Sequence, residues 1–287
     1  MAYSDKTTVL HVLANALKQN GVTSHVTIIA KAKVPIVKFI STYGRFKVDI
    51  SINQNNGLFS GKIITGFLRD LVPCSEGKDS TALRSLIMIT KAFLGQRNMN
   101  EVYTGGLGSY GVVCLAVSFL QMHPKIRRGE IDPEKNLGVL VMEFFELYGK
   151  CFNYDEVGIS LRDGGTYFNK RQRGWHAEYK RNMLSIEDPA DPCEFLVACF
   201  YGAKLSIALA NDISSGSYNF HKVKTAFAGA HGILTSTAYL RAGMLSSRHQ
   251  GRSVQLRSQY EPEDLSILST VMGMTQEVGP DTYSGFF

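Results

Sequence analysis

VPIVKFISTYGRFKVDISINQNNG, residues 34–57, decides the architecture, because the spacing of apolar residues changes on either side of it. Phe46, Val48, Ile50 and Ile52 alternate with Lys47, Asp49, Ser51 and Asn53. That is the period of a half-buried strand, and it sends Asp49 to the open face beside a lysine and a serine. Val34 to Ile40 reads as a second strand, and a short turn around Tyr43-Gly44 joins the two as an antiparallel hairpin. His25 to Ala30 supplies a third strand-like piece.

Upstream, Val9, Leu10, Val12, Leu13 and Leu17 fall at helical spacing over residues 6–19, and Asn20-Gly21 offers a left-handed stop. Downstream of Asn55-Asn56-Gly57 the spacing turns helical: Leu58 to Leu71, Ala82 to Leu94, Gly106 to Met122, Leu137 to Tyr148, then a helix-rich stretch from Asn219 to Leu245. A small sheet followed by a helical body is an α+β chain. No internal repeat is visible, and the Gly-, Ser- and Pro-containing end reads as frayed.

Composition sets the outer bounds. With 287 residues, 44% hydrophobic and 20% charged, the chain can bury one large core or two medium ones and is not disordered in character. A net charge of +6 and a pI near 9.0 favour an anionic partner, though a mild surplus alone does not choose nucleic acid. The runs Lys125-Ile126-Arg127-Arg128 and Lys170-Arg171-Gln172-Arg173 add little, since such runs are commonly solvated faces. Five cysteines without C-x-x-C spacing indicate neither a zinc ribbon nor a disulfide framework, and so a reducing compartment. The longest apolar stretch, Val112 to Leu120, is too short to cross a bilayer, and no signal sequence is expected at the start.

Three features carry chemistry. TGGLGSYGVV, residues 104–113, puts glycines, a serine and a tyrosine before a strongly apolar helix. Helix N-terminal N–H groups that glycine leaves open to close approach make an anion site, although a tight interhelical turn explains the same residues. The spacing fits neither standard phosphate loop. Lys91, in the apolar stretch IMITKAFL, either snorkels to solvent or reaches a phosphate as a point charge. Asp49 alone is an incomplete metal site, because two-metal phosphoryl transfer needs two or three carboxylates about 4 Å apart. The chain has no Asp-x-Asp on a strand-like segment, and Asp188-Pro189-Ala190-Asp191 has the wrong spacing.

In their order, the hairpin, IMITKAFL, YTGGLGSYG, LQMHPKI, NLGVLVMEFFELYGKCFNYD, DPADP and NDISSGSYNF resemble the nuclear poly(A) RNA polymerases of the Trf / DNA polymerase sigma family. These belong to the nucleotidyltransferase superfamily, and the resemblance covers nearly all of residues 1–275. It implies a partial nucleotidyltransferase palm over residues 1–56 and an all-helical central domain over 57–250. The poly(A)-polymerase-associated segment would fall near 137–192, and a tail over 251–287. The implied activity adds AMP from ATP to RNA 3′ ends with Mg²⁺ or Mn²⁺, in nuclear RNA surveillance, the nucleolus included. The implied partners are a zinc-knuckle RNA-binding protein and an RNA helicase, as in a TRAMP complex. By the same resemblance Asp49 is the third catalytic carboxylate and a metal ligand. Asn56 and Gly57 form the turn at the incoming ribose, Lys91 touches the triphosphate, Ser109 a phosphate, Tyr110 stacks on the base and Asn211 reads it.

The chain departs from that pattern in several places. The first two carboxylates would lie upstream of Met1, so the chain as written is expected to be inactive alone, as a truncated form of a longer enzyme. Residues 193–210 interrupt the passage from the proline-rich loop to Asn211. A retained intron explains this, because Cys193-Glu194-Phe195 can be encoded with a splice-donor sequence; a lineage-specific helix is the other explanation. Ser215 stands where relatives carry arginine, and Gly95 offers no cation one turn after Lys91, although Arg97 is near. VGPDTYSGFF does not continue the family's closing helix. A catalytically dead binding module and a uridylyltransferase are the alternatives; Asn211 favours adenine, since uridylyl relatives place histidine there.

Overall fold

The computed structural model describes residues 6–31, 34–52, 56–71, 79–176, 181–190, 211–249 and 272. The interruption at 193–210 and the tail at 251–287, Met272 apart, lie outside the described residues. The chain divides into two compact units, one built on Met1–Ser60 and the other on Gly61–Met274.

In the first unit α1 (Lys6–Gln19) packs on a three-stranded antiparallel sheet in the order β1 (Val26–Ile29), β2 (Ile36–Ile40), β3 (Lys47–Ser51). Leu10 and Ala14, one turn apart, meet Val37 and Phe39 in a small core, with Leu13, Leu17, Val48 and Ile50 around it. The helix ends as its Asn-Gly pair predicts: Gly21 takes φ +67°, its N–H donates to Lys18 O and that of Val22 to Leu17 O, closing a Schellman turn. The β2–β3 register pairs Val37 with Ile50 and Lys38 with Asp49, so one face is apolar and the other carries the charges. The hairpin expected from residues 34–57 is thus present.

In α2 (Asn56–Asp70) the division between the units falls at Ser60/Gly61. The second unit continues with α3 (Thr81–Gln96), α4 (Ser109–Met122), the short α5 (Pro124–Arg127), α6 (Leu137–Glu146) and α7 (Phe220–His249). Helix α4 is buried at every position from Gly111 to Leu120, and this explains its run of apolar residues without a helical period. Around it Phe93, Phe144, Phe145 and Phe227 meet with ring centroids 5.1–6.0 Å apart. α6 runs into one π turn, Leu147–Cys151, that lies against α7 so closely that a Cβ on Gly149 would come 2.4 Å from Ala228 N. Met272 is helical and joins this core.

The α+β class stands, with one correction inside it. The segment expected to be all-helical carries a two-stranded antiparallel sheet, β4 (Val157–Ser160) and β5 (Thr166–Asn169). The reason is tertiary: Phe168 lies over Gly158, and Ile159 pairs in parallel with Ile186, so these short strands are fixed by distant residues. A second, smaller correction concerns Gly106–Gly108, which lead into α4 as extended loop and not as helix. Among the described residues no helix is long and apolar enough to cross a membrane.

Candidate functional site

The glycines of residues 105–108 are required by space. Gly105 takes φ +82°, and a Cβ there would meet the Tyr218 ring at 2.6 Å. One on Gly106 would come 2.2 Å from Met99 O. The N–H groups of Gly105, Gly106 and Leu107 donate to Val102, Glu101 and Met99 carbonyls, folding the turn tightly after α3. Gly108 then caps α4 with no side chain to accept from its first turn, and Ser109 beside it is exposed.

Tyr110, the second residue of α4, is half-buried, and its hydroxyl donates to Asp188 Oδ1 at 3.2 Å. One turn on, Cys114 is fully buried; burial and then the Asp188 carboxylate push its thiol up. Asp188 is itself held tightly. Its Oδ1 accepts from Ala190 N at 2.9 Å, its N–H donates to Asn211 O at 2.9 Å, and Arg162 Nη2 donates to its carbonyl at 3.1 Å. The neighbouring Glu187, only 4% exposed, is flanked by Arg162 at 3.5 Å and Arg173 at 3.1 Å. Two guanidinium groups offset the cost of burying that carboxylate and fix the segment that carries Asp188.

The residues singled out from sequence fall in two groups. Tyr110 and Asn211 both meet Asp188, Ser109 precedes Tyr110 in the first turn of α4, and Lys91 is half-buried on α3, which packs against α4. Arg97, the cation near Gly95, is turned elsewhere: its guanidinium sits 3.9 Å from the Phe93 ring centroid and donates to Phe93 O. Asp49, Asn56 and Gly57 belong to the first unit. Asp49 is exposed on β3, level with Lys38 and in a row with Lys47 and Ser51. Asn56 and Gly57 open α2.

Sequence reasoning missed Asp188 as a partner of Tyr110, and Tyr218 and Asn219 as supports of the glycine turn. The available signal was that all three sit inside DPADP and NDISSGSYNF, the motifs that carry the family resemblance. Divalent metal is a separate matter. Among the described residues no three His, Cys, Asp or Glu side chains are placed to hold an ion, and Asp49 offers one carboxylate. By themselves these residues do not fit a two-metal centre. A cleft of about 730 Å³, lined by Phe67, Leu120, Gln121 and Leu161 among others, lies at the opposite end of α4 from the glycine turn.

Two family models match the chain: the Cid1 family poly A polymerase over residues 136–193, and the central palm domain of mitochondrial-like poly(A) RNA polymerase over residues 2–69. Poly(A) RNA polymerase CID14 of Cryptococcus neoformans is 46% identical over 96% of this chain and 32% of its own length. An inactive non-canonical poly(A) RNA polymerase, Trf4-2 of Drosophila melanogaster, is 34% identical over 67% of this chain and 46% of its own. The chain spans about a third of the length of the first curated relatives it matches. Among solved structures, Cid1 poly(U) polymerase shares the fold, with a TM-score of 0.52 at 18% identity over 82% of this chain and 74% of that one. The polymerase core of TRAMP, an RNA surveillance complex, gives a TM-score of 0.70 at 33% identity over 94% of this chain and 72% of that one. A likeness of that extent in sequence and fold together places the chain in the poly(A) RNA polymerase family of the Trf and Cid14 type.

Proposed function

We propose that this chain is the nucleotide-holding part of an RNA nucleotidyltransferase that adds AMP from ATP to RNA 3′ ends. The observation that carries the reading is the glycine-lined N-terminus of α4, with Tyr110 held by Asp188 beside it. Each residue has a physical task. The α4 N–H groups and Ser109 meet phosphate oxygens, Lys91 adds a point charge to the triphosphate, and the Tyr110 ring stacks on the base while Asn211 meets its edge. Asn56 and Gly57 border the ribose, and Asp49 is one carboxylate toward Mg²⁺ or Mn²⁺. With a single such carboxylate, the chain alone binds ATP without transferring it. A zinc-knuckle RNA-binding protein and an RNA helicase are the proposed partners, and the nucleus the proposed location.

Calorimetric titration with ATP and UTP, alongside extension of a labelled oligoribonucleotide in Mg²⁺, tests this. ATP should bind more tightly than UTP, and the RNA should not lengthen. Lengthening would overturn the claim that the chain is inactive alone, and tighter UTP binding would turn the reading toward uridylyl transfer. A second reading, a catalytically dead module that docks partners, is favoured by the likeness to an inactive Drosophila relative. Absence of all nucleotide binding would select it.

A further inference from the structure

Asn219 stands just before α7, where an asparagine ordinarily accepts a hydrogen bond from the first turn of its own helix. Here its side-chain amide reaches across 115 residues of sequence instead, and donates to Thr104 O at 2.7 Å. Its backbone N–H donates to Gly105 O at 3.0 Å, so two successive carbonyls of the glycine turn are held by one residue. Tyr218 assists: its hydroxyl donates to Tyr103 O at 3.0 Å, and its ring fills the space that the missing Gly105 side chain leaves. The base of this clamp is rigid, because Phe220 is fully buried with its ring 5.1 Å from that of Tyr154.

These contacts close a circuit. From Gly105 the chain runs to Tyr110, whose hydroxyl meets Asp188; the Asp188 N–H meets Asn211 O; and the sequence from Asn211 leads back to Asn219 on Thr104 and Gly105. The stacking residue, the base-edge residue and the phosphate-facing helix end are therefore tied into one loop. Resting on the nucleotide reading above, we propose that Asn219 is a positioning residue: its amide sets the glycine turn, and through it the grip of α4 on the triphosphate.

Asn219→Asp separates this role from ordinary helix capping. Aspartate caps a helix as well as asparagine does, but its carboxylate cannot donate to Thr104 O. Hydrogen exchange over residues 105–111 and the affinities for ATP and AMP are compared between the wild-type chain and the variant, with the melting temperature as control. The expected result is a melting temperature lowered less than in Asn219→Ala, faster exchange over 105–111, and ATP weakened about tenfold relative to AMP, the scale of one hydrogen bond. Unchanged exchange overturns the clamp. Equal weakening of both nucleotides, or a melting temperature lowered as far as in Asn219→Ala, makes the residue merely structural and overturns the positioning claim. If the wild-type chain binds neither nucleotide, the reading in the previous subsection falls and the link to the triphosphate with it. The exchange over 105–111 then still decides whether the clamp exists.

Discussion

Tyr110 does two things that one substitution can separate. Its ring, the proposed stacking surface, is half-buried against the core at the start of α4, while its hydroxyl donates to Asp188 and so sets the ring's orientation. Tyr110→Phe keeps the ring and loses the donor, whereas Tyr110→Ala loses both. Stacking of a base on an aromatic ring is worth about 1–3 kcal/mol, so Tyr110→Ala should weaken ATP by about tenfold or more. Tyr110→Phe should cost less. Calorimetric dissociation constants for the three proteins check this, and an unweakened Tyr110→Ala would mean that the base lies elsewhere. The turn that leads into Ser109 and Tyr110 was legible in the sequence because its glycine spacing marks it. Asp188 was not legible as the partner of Tyr110, since it lies 78 residues away and no local pattern announces the contact. Cys114 follows the same logic: its buried, raised thiol results from a fold that sequence spacing does not show.

Helix α3 shows how an element can depend on a distant residue for its start. Ser80 accepts from Leu83 N at 3.1 Å, in the manner of an N-cap, and its hydroxyl donates to Glu134 Oε1 at 2.8 Å. Glu134 also accepts from Ala82 N, so a carboxylate 52 residues away completes the first turn and sits where the helix dipole favours it. Ser80→Ala should destabilise the chain by about 1–2 kcal/mol. The effects of Ser80→Ala and Glu134→Ala should not add, because the two side chains share one network. Denaturant titrations of the two single variants and the double variant measure the coupling, and strict additivity would remove the shared cap. Helices such as α1 were readable from period, α4 from its apolar run, and the β2–β3 hairpin from alternation. Strands β4 and β5 were not, because each is four residues long and Gly158 makes sense only once Phe168 lies over it. The last turn of α6 was also hidden, since its π geometry follows from the close approach of Gly149 to α7.

At the scale of the whole chain, the two units hold cores of very different size. Among the described hydrophobic residues the first buries only Leu10, Ala14, Val37 and Phe39, and the open face of its sheet leaves Ile40 48% exposed. The second encloses α4 on all sides and adds a cluster of phenylalanines. An α+β order was readable from spacing; composition left one large core or two medium ones open, and how unequal the cores are was not readable, because burial depends on which helices surround α4. Stability follows buried apolar area, and a unit of about 60 residues is marginal on that measure. The first unit should therefore unfold at lower urea than the second. One tryptophan makes this measurable: Trp175, the only one in the sequence, belongs to the second unit, with its ring 5.2 Å from Phe168. Far-ultraviolet circular dichroism reads both units, and Trp175 fluorescence reads the second alone. The dichroism should begin to fall at a urea concentration where the fluorescence is unchanged, a failure of coincidence that a single two-state transition cannot produce. Superimposable curves would mean that the small core draws its stability from the large one and that the chain unfolds as one body.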